Sequence, residues 1–222
     1  MILFVQRWPQ VDIRWEMVHV DSSNMPVASA MYPTDVEVDT PDAIDRWRPL
    51  VQWLLALPHL ILMSALSTLM NAVSVIAWFV IVFTGKMPRG LAQLTEMSMR
   101  YAFRVAGYAL GLVAVYPPFS FSESFEDPRT YPVRHWVEPE LEDRNRLTVG
   151  LRALWVIPAA VFAALIMIVA HFAFLIGAVT VLFTGSWNET LRDWIVKCLR
   201  VYNRLYAYGL LLTDEYPPFT TD

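Results

Sequence analysis

The chain has 222 residues, of which 56% are hydrophobic and 17% are charged, a balance more apolar than that of most soluble domains. Its formal net charge of -4 excludes a basic nucleic-acid-binding protein. The single cysteine, Cys198, excludes an internal disulfide framework and a multi-cysteine metal site.

Two polar segments, residues 1–45 and 120–145, flank the first apolar part of the chain. The N-terminal residues lack a basic region, a sustained apolar core and a small-residue cleavage site, so we expect no cleavable signal peptide. The alternation Val36-Glu37-Val38-Asp39 predicts a short strand, and prolines and acidic residues argue against a helix through 120–145. We expect both segments to pack together as a small polar cap, with one or two short strands, on one membrane face.

Two long apolar runs dominate the remaining sequence. Residues 50–85 contain no Asp, Glu, Lys or Arg, and residues 150–185 contain Arg152 as their only charge. Runs of this length without charge are candidates for transmembrane helices.

The chain repeats itself at an offset of 100 residues, and no gap is needed. We therefore define repeat 1 as residues 46–119 and repeat 2 as residues 146–219. The matches are Arg46 with Arg146, Pro58 with Pro158, Phe83-Thr84-Gly85 with Phe183-Thr184-Gly185, Arg100 and Arg104 with Arg200 and Arg204, Tyr108 with Tyr208, and Tyr116-Pro117-Pro118-Phe119 with Tyr216-Pro217-Pro218-Phe219.

Each apolar run is too long for one straight span and too short for two. About 35 residues of helix measure roughly 50 Å, against a hydrocarbon thickness of about 30 Å. Pro58 and Pro158 suggest an interfacial or tilted piece before the proline, followed by one span. A re-entrant hairpin bent at the proline is the alternative, and its third crossing per repeat would invert the second copy.

Thr-Gly ends the first helix of each repeat, and Pro88 and Asn188 suit the start of a second helix. We expect these second helices at 91–115 and 191–213. Each repeat then crosses twice, which predicts an all-α membrane protein with four transmembrane helices in two parallel tandem repeats. The missing signal peptide favours cytoplasmic termini.

Each second helix carries a stripe of polar residues, Gln93, Glu96, Arg100 and Arg104 or Asp193, Lys197, Arg200 and Arg204.

The repeated arginines Arg100, Arg104, Arg200 and Arg204 allow two interpretations. Guanidinium groups bind phosphate with two donors, so the four could form a site for an anionic lipid headgroup or a small anion. Alternatively, they pair with Glu96, Asp193 and backbone carbonyls and serve the fold, which we favour.

His59, Asn71 and His171 also lie within the apolar runs. None of them recurs in kind at the matching position of the other repeat, so we expect interhelical hydrogen bonds more than proton transfer or metal binding. No metal-ligand, nucleophile-elbow, Walker or dinucleotide motif occurs. We therefore expect no enzymatic activity, no cofactor and no metal site.

The motif Tyr-Pro-Pro-Phe closes each repeat, at Tyr116, Pro117, Pro118 and Phe119 and at Tyr216, Pro217, Pro218 and Phe219. Proline pairs stop helices, and Tyr and Phe favour the membrane interface. A helix stop with an aromatic anchor explains the motif, and docking of a protein partner on it is the alternative.

These motifs together resemble a known family. Arg46, Trp47, Pro49 and Leu50 are followed by Leu57-Pro58-His59, Phe83-Thr84-Gly85, Pro88-Arg89-Gly90-Leu91 and Tyr-Pro-Pro-Phe. The pattern resembles the bacterial membrane family called domain of unknown function 4389, in two tandem units. The resemblance implies an integral protein of the bacterial inner membrane and no particular activity. We expect an accessory or scaffold subunit that contacts lipids and a protein partner, and keep lipid or small-anion binding and transport as the alternative.

Overall fold

The computed structural model describes residues 32–122 and 124–221. Most of the predicted N-terminal segment, residues 1–31, lies outside the described residues. The described elements, in chain order, are β1 (Thr34–Val38), α1 (Arg48–Leu55), α2 (Leu57–Thr84), α3 (Arg89–Ala109), β2 (Val133–Val137), α4 (Arg146–Gly150), α5 (Arg152–Thr184) and α6 (Glu189–Gly209).

The ends of the long helices follow the predicted signals. α2 and α5 both end at a glycine in the left-handed conformation, Gly85 (φ 74°) and Gly185 (φ 80°), where a residue without Cβ avoids strain. The Asn188 side chain caps α6 by accepting a hydrogen bond from the backbone N–H of Leu191. α3 and α6 stop earlier than predicted, at Ala109 and Gly209, because turns with positive φ follow them.

The two matching prolines have different roles. Pro58 lies in the first turn of α2, after a break at Ala56 that separates α1. Pro158 lies inside α5, because the corresponding break in repeat 2 comes earlier, at Leu151. Neither proline reverses the chain, because α1 passes into α2 through Ala56 in a right-handed helical conformation and α5 continues through Pro158. The re-entrant hairpin is therefore wrong.

The helices and the sheet form three layers. α3 packs against α2 on one side and β2 on the other, and α6 lies in the same way between α5 and β1. Over half of the α3 residues are buried, in keeping with this middle position, whereas α2 and α5 keep one broad apolar face exposed. We call the exposed faces of α2 and α5 the apolar layer, and the outer side of β1 and β2 the sheet face.

The predicted short strands are present as a two-stranded antiparallel sheet. β1 and β2 pair with Val36 opposite His135 and Glu37 opposite Arg134. Val36 and His135 are buried, whereas Glu37 is exposed and forms an ion pair with Arg134 (Nε–Oε2 3.1 Å). Alternation of this kind places one side of a sheet against the helices and the other in water.

The two repeats run in opposite directions, which corrects the predicted parallel arrangement. The end of α2 lies beside the start of repeat 2, since the Arg144 N–H donates to the Gly85 carbonyl (3.0 Å). The end of α5 lies beside the start of repeat 1, since the Ile44 N–H donates to the Gly185 carbonyl (2.7 Å). Each long helix therefore begins where the other ends.

The linker between the repeats produces this inversion. In its first half, just before β2, Tyr131 donates its hydroxyl hydrogen to the Val115 carbonyl (2.7 Å), just beyond the end of α3. Near its other end, the Leu141 carbonyl accepts from the Met87 N–H (2.8 Å), just before α3 begins. The chain thus returns along the length of α3, with β2 in between, before repeat 2 starts.

Among the described residues, two helices, α2 and α5, are long and apolar enough to cross a membrane. The predicted four transmembrane helices are not supported. α3 and α6 are amphipathic, and α3 buries Glu96, Arg100 and Arg104 between the other two layers.

A close contact at Gly177 in α5 gives a first prediction. A Cβ at this position would lie 2.1 Å from Cζ3 of the Trp187 ring, whereas repeat 1 has the buried pair Ala77 and Met87 at the matching positions. We expect Gly177→Ala to lower the free energy of unfolding by about 1–3 kcal/mol through overpacking, even though alanine favours helix. Adding Trp187→Met should recover most of the loss, as measured by heat or denaturant unfolding in detergent.

Gly90 provides the matched control, because a Cβ there meets no atom within 4 Å. Gly90→Ala should therefore stabilise the protein slightly, by about 0.4–1 kcal/mol. A Gly177→Ala variant as stable as Gly90→Ala would contradict the predicted contact.

Candidate functional site

A buried polar cluster joins the two repeats beneath the sheet. Glu96 on α3 accepts from Arg100 (Oε1–Nη2 2.5 Å) and contacts His135 on β2 (Oε1–Nδ1 3.3 Å). His135 in turn contacts Asn203 on α6 (Nε2–Oδ1 2.9 Å), and Asn203 donates to Thr34 on β1 (2.9 Å). We call Glu96, Arg100, His135, Asn203 and Thr34 the central polar cluster; all five are at most 2% exposed.

The hydrogen bonds of the cluster have a defined direction. Thr34 donates to the Trp136 carbonyl (2.7 Å) and so accepts from the Asn203 amide nitrogen. The Asn203 oxygen then accepts from His135 Nε2–H. With the hydrogen on Nε2, Nδ1 of a neutral imidazole can only accept, and so can an ionised carboxylate, so the contact between His135 Nδ1 and Glu96 lacks a donor unless one of the two carries a further proton. Burial raises the pKa of Glu96, against the lowering effects of His135 and Arg100. Burial therefore favours the protonated, neutral form of the Glu96 side chain relative to a glutamate in water.

Arg100 and Arg104, two predicted site residues, are turned inward. Asp127 in the linker lies 3.2 Å from Arg104 Nη2 and 3.6 Å from Arg100 Nε. Arg100 also donates to the Ser124 carbonyl (2.5 Å). Both arginines are at most 4% exposed, so their guanidinium groups hold the linker against α3.

Arg200 and Arg204 on α6 have different partners from their matches on α3. Arg200 Nε lies 3.3 Å from Asp35 Oδ1 and donates to the Val36 carbonyl (3.2 Å). Arg204 lies over the Tyr32 ring, 6.0 Å from its centroid. The structure therefore divides the four predicted arginines into two pairs, each of which attaches a different polar segment to its helix.

A second charged cluster, formed by Arg144, Arg152 and Asp214, lies where repeat 2 begins and ends. Asp214 accepts from Arg144 Nη2 (2.6 Å) and from Arg152 Nη2. Arg152 also donates to the Thr213 carbonyl (2.9 Å) and stacks on the Tyr208 ring at 3.9 Å. Burial opposes ionisation of Asp214, but hydrogen bonds from Arg144 and the Asn145 N–H, with the charges of both arginines, lower its pKa.

Repeat 1 lacks this charged cluster. The positions that match Arg144, Arg152 and Asp214 are Ile44, Gln52 and Ala114. Gln52 alone keeps the backbone connection, by donating to the Val113 carbonyl (2.6 Å) as Arg152 does to Thr213. Arg48, which lies outside these matching positions, also donates to the Ala114 carbonyl (3.0 Å). Repeat 1 therefore has a neutral amide and a partly exposed arginine where repeat 2 has the charged cluster.

Of the three isolated polar residues of the apolar runs, His59 is buried and the other two are exposed. His59 on α2 contacts Tyr101 on α3 (Nδ1–Oη 2.5 Å) and stacks on the Phe119 ring at 4.1 Å, so the predicted interhelical hydrogen bond is confirmed there. It is wrong for His171, whose Nδ1 contacts the Met167 carbonyl of its own helix.

The Tyr-Pro-Pro-Phe motifs fold back onto their own repeats. Tyr116 makes an edge contact with Tyr108, and Tyr216 makes the matching contact with Tyr208 (centroids 5.4 and 5.3 Å). The first proline of each motif is buried, whereas Phe119 and Phe219 stay more than half exposed beside α2 and α5. α3 and α6 already end at Ala109 and Gly209, before the motifs, so the predicted helix stop at the motifs is wrong. Docking of a partner on the motifs stays a prediction.

Sequence reasoning missed His135, Asp127, Asn203 and Asp214. The lone charge of Arg152 in an apolar run was a signal that a buried counter-charge had to exist, but nothing pointed to Asp214. In the part of the chain that the structure describes, no group of three or more His, Cys, Asp or Glu side chains could hold a metal ion.

Comparison with known proteins identifies the family. No curated protein and no solved structure matches the chain. One family model matches it twice, over residues 46–120 and 146–221, which are the two repeats and most of the sequence. The chain therefore belongs to the family described as Domain of unknown function (DUF4389), and it contains two tandem copies of that domain.

Proposed function

We propose that this protein is a non-enzymatic, membrane-bound accessory or scaffold subunit of a larger bacterial membrane complex. The observation that carries the proposal is the segregation of its surface into an apolar layer and a polar sheet face on opposite sides of α3 and α6. The most deeply buried charged side chains pair with one another and serve the fold. The two outer surfaces are therefore the parts available for function, one for lipid and one for a partner.

The sheet face offers two polar grooves on either side of Arg134. One groove, of about 660 Å³, is lined by residues that include Arg89, Phe125 and Trp136. The other, of about 730 Å³, is lined by residues that include Asp39, Arg192 and Lys197. Grooves with charges of both signs and with aromatic and arginine side chains suit a protein partner.

A pull-down with a charge reversal tests the proposal. Arg134 lines both grooves and forms exposed ion pairs with Glu37 and Asp39, so Arg134→Glu should cost little stability. We expect the tagged protein, extracted from its native membrane in polymer nanodiscs, to retain a stoichiometric protein partner that Arg134→Glu releases. Glu142→Arg, at an exposed site that lines neither groove, should retain it.

The same sample tests the alternative, a lipid or small-anion binding or transport protein. Of the predicted arginine set, Arg200 and Arg204 are partly exposed. The Arg200 side chain is one-third exposed and lines the groove with Arg192 and Lys197. A lone protein that carries one enriched anionic lipid would refute the scaffold function and support this alternative. A lone protein without such a lipid would refute both.

A further inference from the structure

We propose that α2 and α5 lie along the plane of the membrane within one leaflet, instead of crossing it. The inference rests on the membrane location in the proposed function and concerns how the protein sits there. The protein would then be monotopic: the loops at the ends of α2 and α5 and the sheet face would all meet water on the same side of the membrane.

The first step is the position of the sheet along the helices. Thr34 and Asp35 of β1 contact Asn203 and Arg200 on α6. Two residues before Arg200, Cys198 lies 4.0 Å (Sγ–Sδ) from Met167, at the midpoint of α5. The sheet therefore lies over the middle of α5 and α6, and not beyond either end of these helices.

The second step is what this position means for a spanning helix. If α5 stood upright in the bilayer, the exposed side chains of Glu37 and Asp39, and the half-buried Arg134 beside them, would lie near the middle of the hydrocarbon. Charged side chains that face lipid at that depth are expensive, and so are the unpaired backbone groups at the edges of an open sheet. Lying flat removes both costs, because the sheet face then points away from the membrane.

The third step is the chemistry of the apolar layer. The exposed residues of α2 and α5 include no Asp, Glu, Lys or Arg over either helix, so the exposed face of each helix suits an acyl environment. With 28 and 33 residues, the helices measure about 42 and 50 Å, longer than the hydrocarbon thickness of about 30 Å. A helix in the plane has no such length limit.

The inverted repeats make the two arrangements easy to distinguish. Gly90 and Thr190 occupy matching exposed positions in the first turns of α3 and α6. They therefore lie at opposite ends of the molecule, just beyond the ends of α2 and α5. Spanning helices would place Gly90 and Thr190 on opposite sides of the membrane, whereas helices in the plane place both on the side of the sheet face.

The experiment uses single cysteines in the full-length protein, at Gly90→Cys, Thr190→Cys and Glu37→Cys. The unsubstituted protein is the control, because Cys198 is buried and burial raises the pKa of its thiol to about 11. Intact and permeabilised spheroplasts are treated with a membrane-impermeant maleimide. Membrane fractionation comes first, so that a protein absent from the membrane refutes the membrane location itself and is not confused with a labelling result.

We expect the three introduced cysteines to behave alike: all labelled in intact spheroplasts, or all labelled only after permeabilisation. Labelling of Gly90→Cys and Thr190→Cys from opposite sides would overturn the inference, and so would Glu37→Cys on the side opposite to both. A Gly90→Cys or Thr190→Cys variant that reacts only after detergent has dissolved the membrane would overturn it too, since that position would then lie in hydrocarbon.

Discussion

Asp214→Asn is expected to lower the free energy of unfolding by about 3–5 kcal/mol, because it leaves two buried guanidinium groups without their shared carboxylate. The side chains of Arg144 and Arg152 are 0% and 4% exposed, so water cannot replace the lost charge. Asparagine keeps the shape of the side chain, and the loss therefore reports charge and not packing. Unfolding by heat or denaturant in detergent measures it.

Repeat 1 supplies the matched control for this prediction. The triple variant Arg144→Ile, Arg152→Gln and Asp214→Ala installs the residues that the first repeat has at the matching positions. Replacing a buried ion cluster by well-packed neutral groups is often neutral or stabilising. We expect the triple variant to be more stable than Asp214→Asn alone, and a triple variant that unfolds more easily would show that the cluster stabilises the fold by more than charge pairing.

Asp214 also makes stability depend on pH. Its pKa in the folded protein lies below the ordinary value of 3.8, so the folded state binds this proton less readily than the unfolded state. The stabilisation is fully present above the ordinary pKa and is lost as the pH falls through the lowered one. Asp214→Asn should lack this loss at acid pH.

The sequence alone predicted the local elements well. The offset of 100 residues identified the duplication, and the Thr-Gly pairs identified the ends of α2 and α5, because glycine in the left-handed conformation is a local requirement. The alternation around Val36 identified β1 for a similar reason. These signals depend on neighbouring residues and need no knowledge of the partner surface.

The direction of repeat 2 could not be predicted in this way. A repeat in sequence shows that two units share a structure, but it does not show how the chain travels between them. That path depends on β2, which pairs with a strand almost 100 residues earlier and carries the linker back along α3. The predicted count of four spans failed for another reason: among the described residues only α2 and α5 are long and apolar enough to cross a membrane, whereas α3 and α6 are amphipathic.

The candidate site shows the same limit. Glu96 with Arg100 and Asp193 with Lys197 have the same order and spacing, which the sequence presents as equivalent helical pairs. In the fold, Glu96 is fully buried under β2, whereas the Asp193 side chain is 58% exposed. Burial is set by which side of each helix the sheet covers, and this is a tertiary property.

Glu96→Val is expected to be the second large loss, about 3 kcal/mol of unfolding free energy. Valine is the residue at the matching position of repeat 2, Val196, so its size and shape are acceptable in this helix. The substitution removes the acceptor of Arg100 and the partner of His135 Nδ1, and buried polar groups left without partners are costly. The loss falls at the lower end of the range for a broken buried pair, because Asp127 and the Ser124 carbonyl still contact Arg100.

Asp193→Ala is the control, and it should change stability by less than about 0.5 kcal/mol, because an exposed ion pair contributes little. Equal losses from Glu96→Val and Asp193→Ala would contradict the central polar cluster.

The pH dependence of the free energy of unfolding gives an independent check, because the contribution of Glu96 changes with pH in the opposite direction to that of Asp214. Since burial raises the pKa of Glu96 above 4.5, its favourable contribution is fully present below that value and declines as the pH rises through the raised pKa. Glu96→Val should abolish this decline while leaving the acid loss due to Asp214 in place.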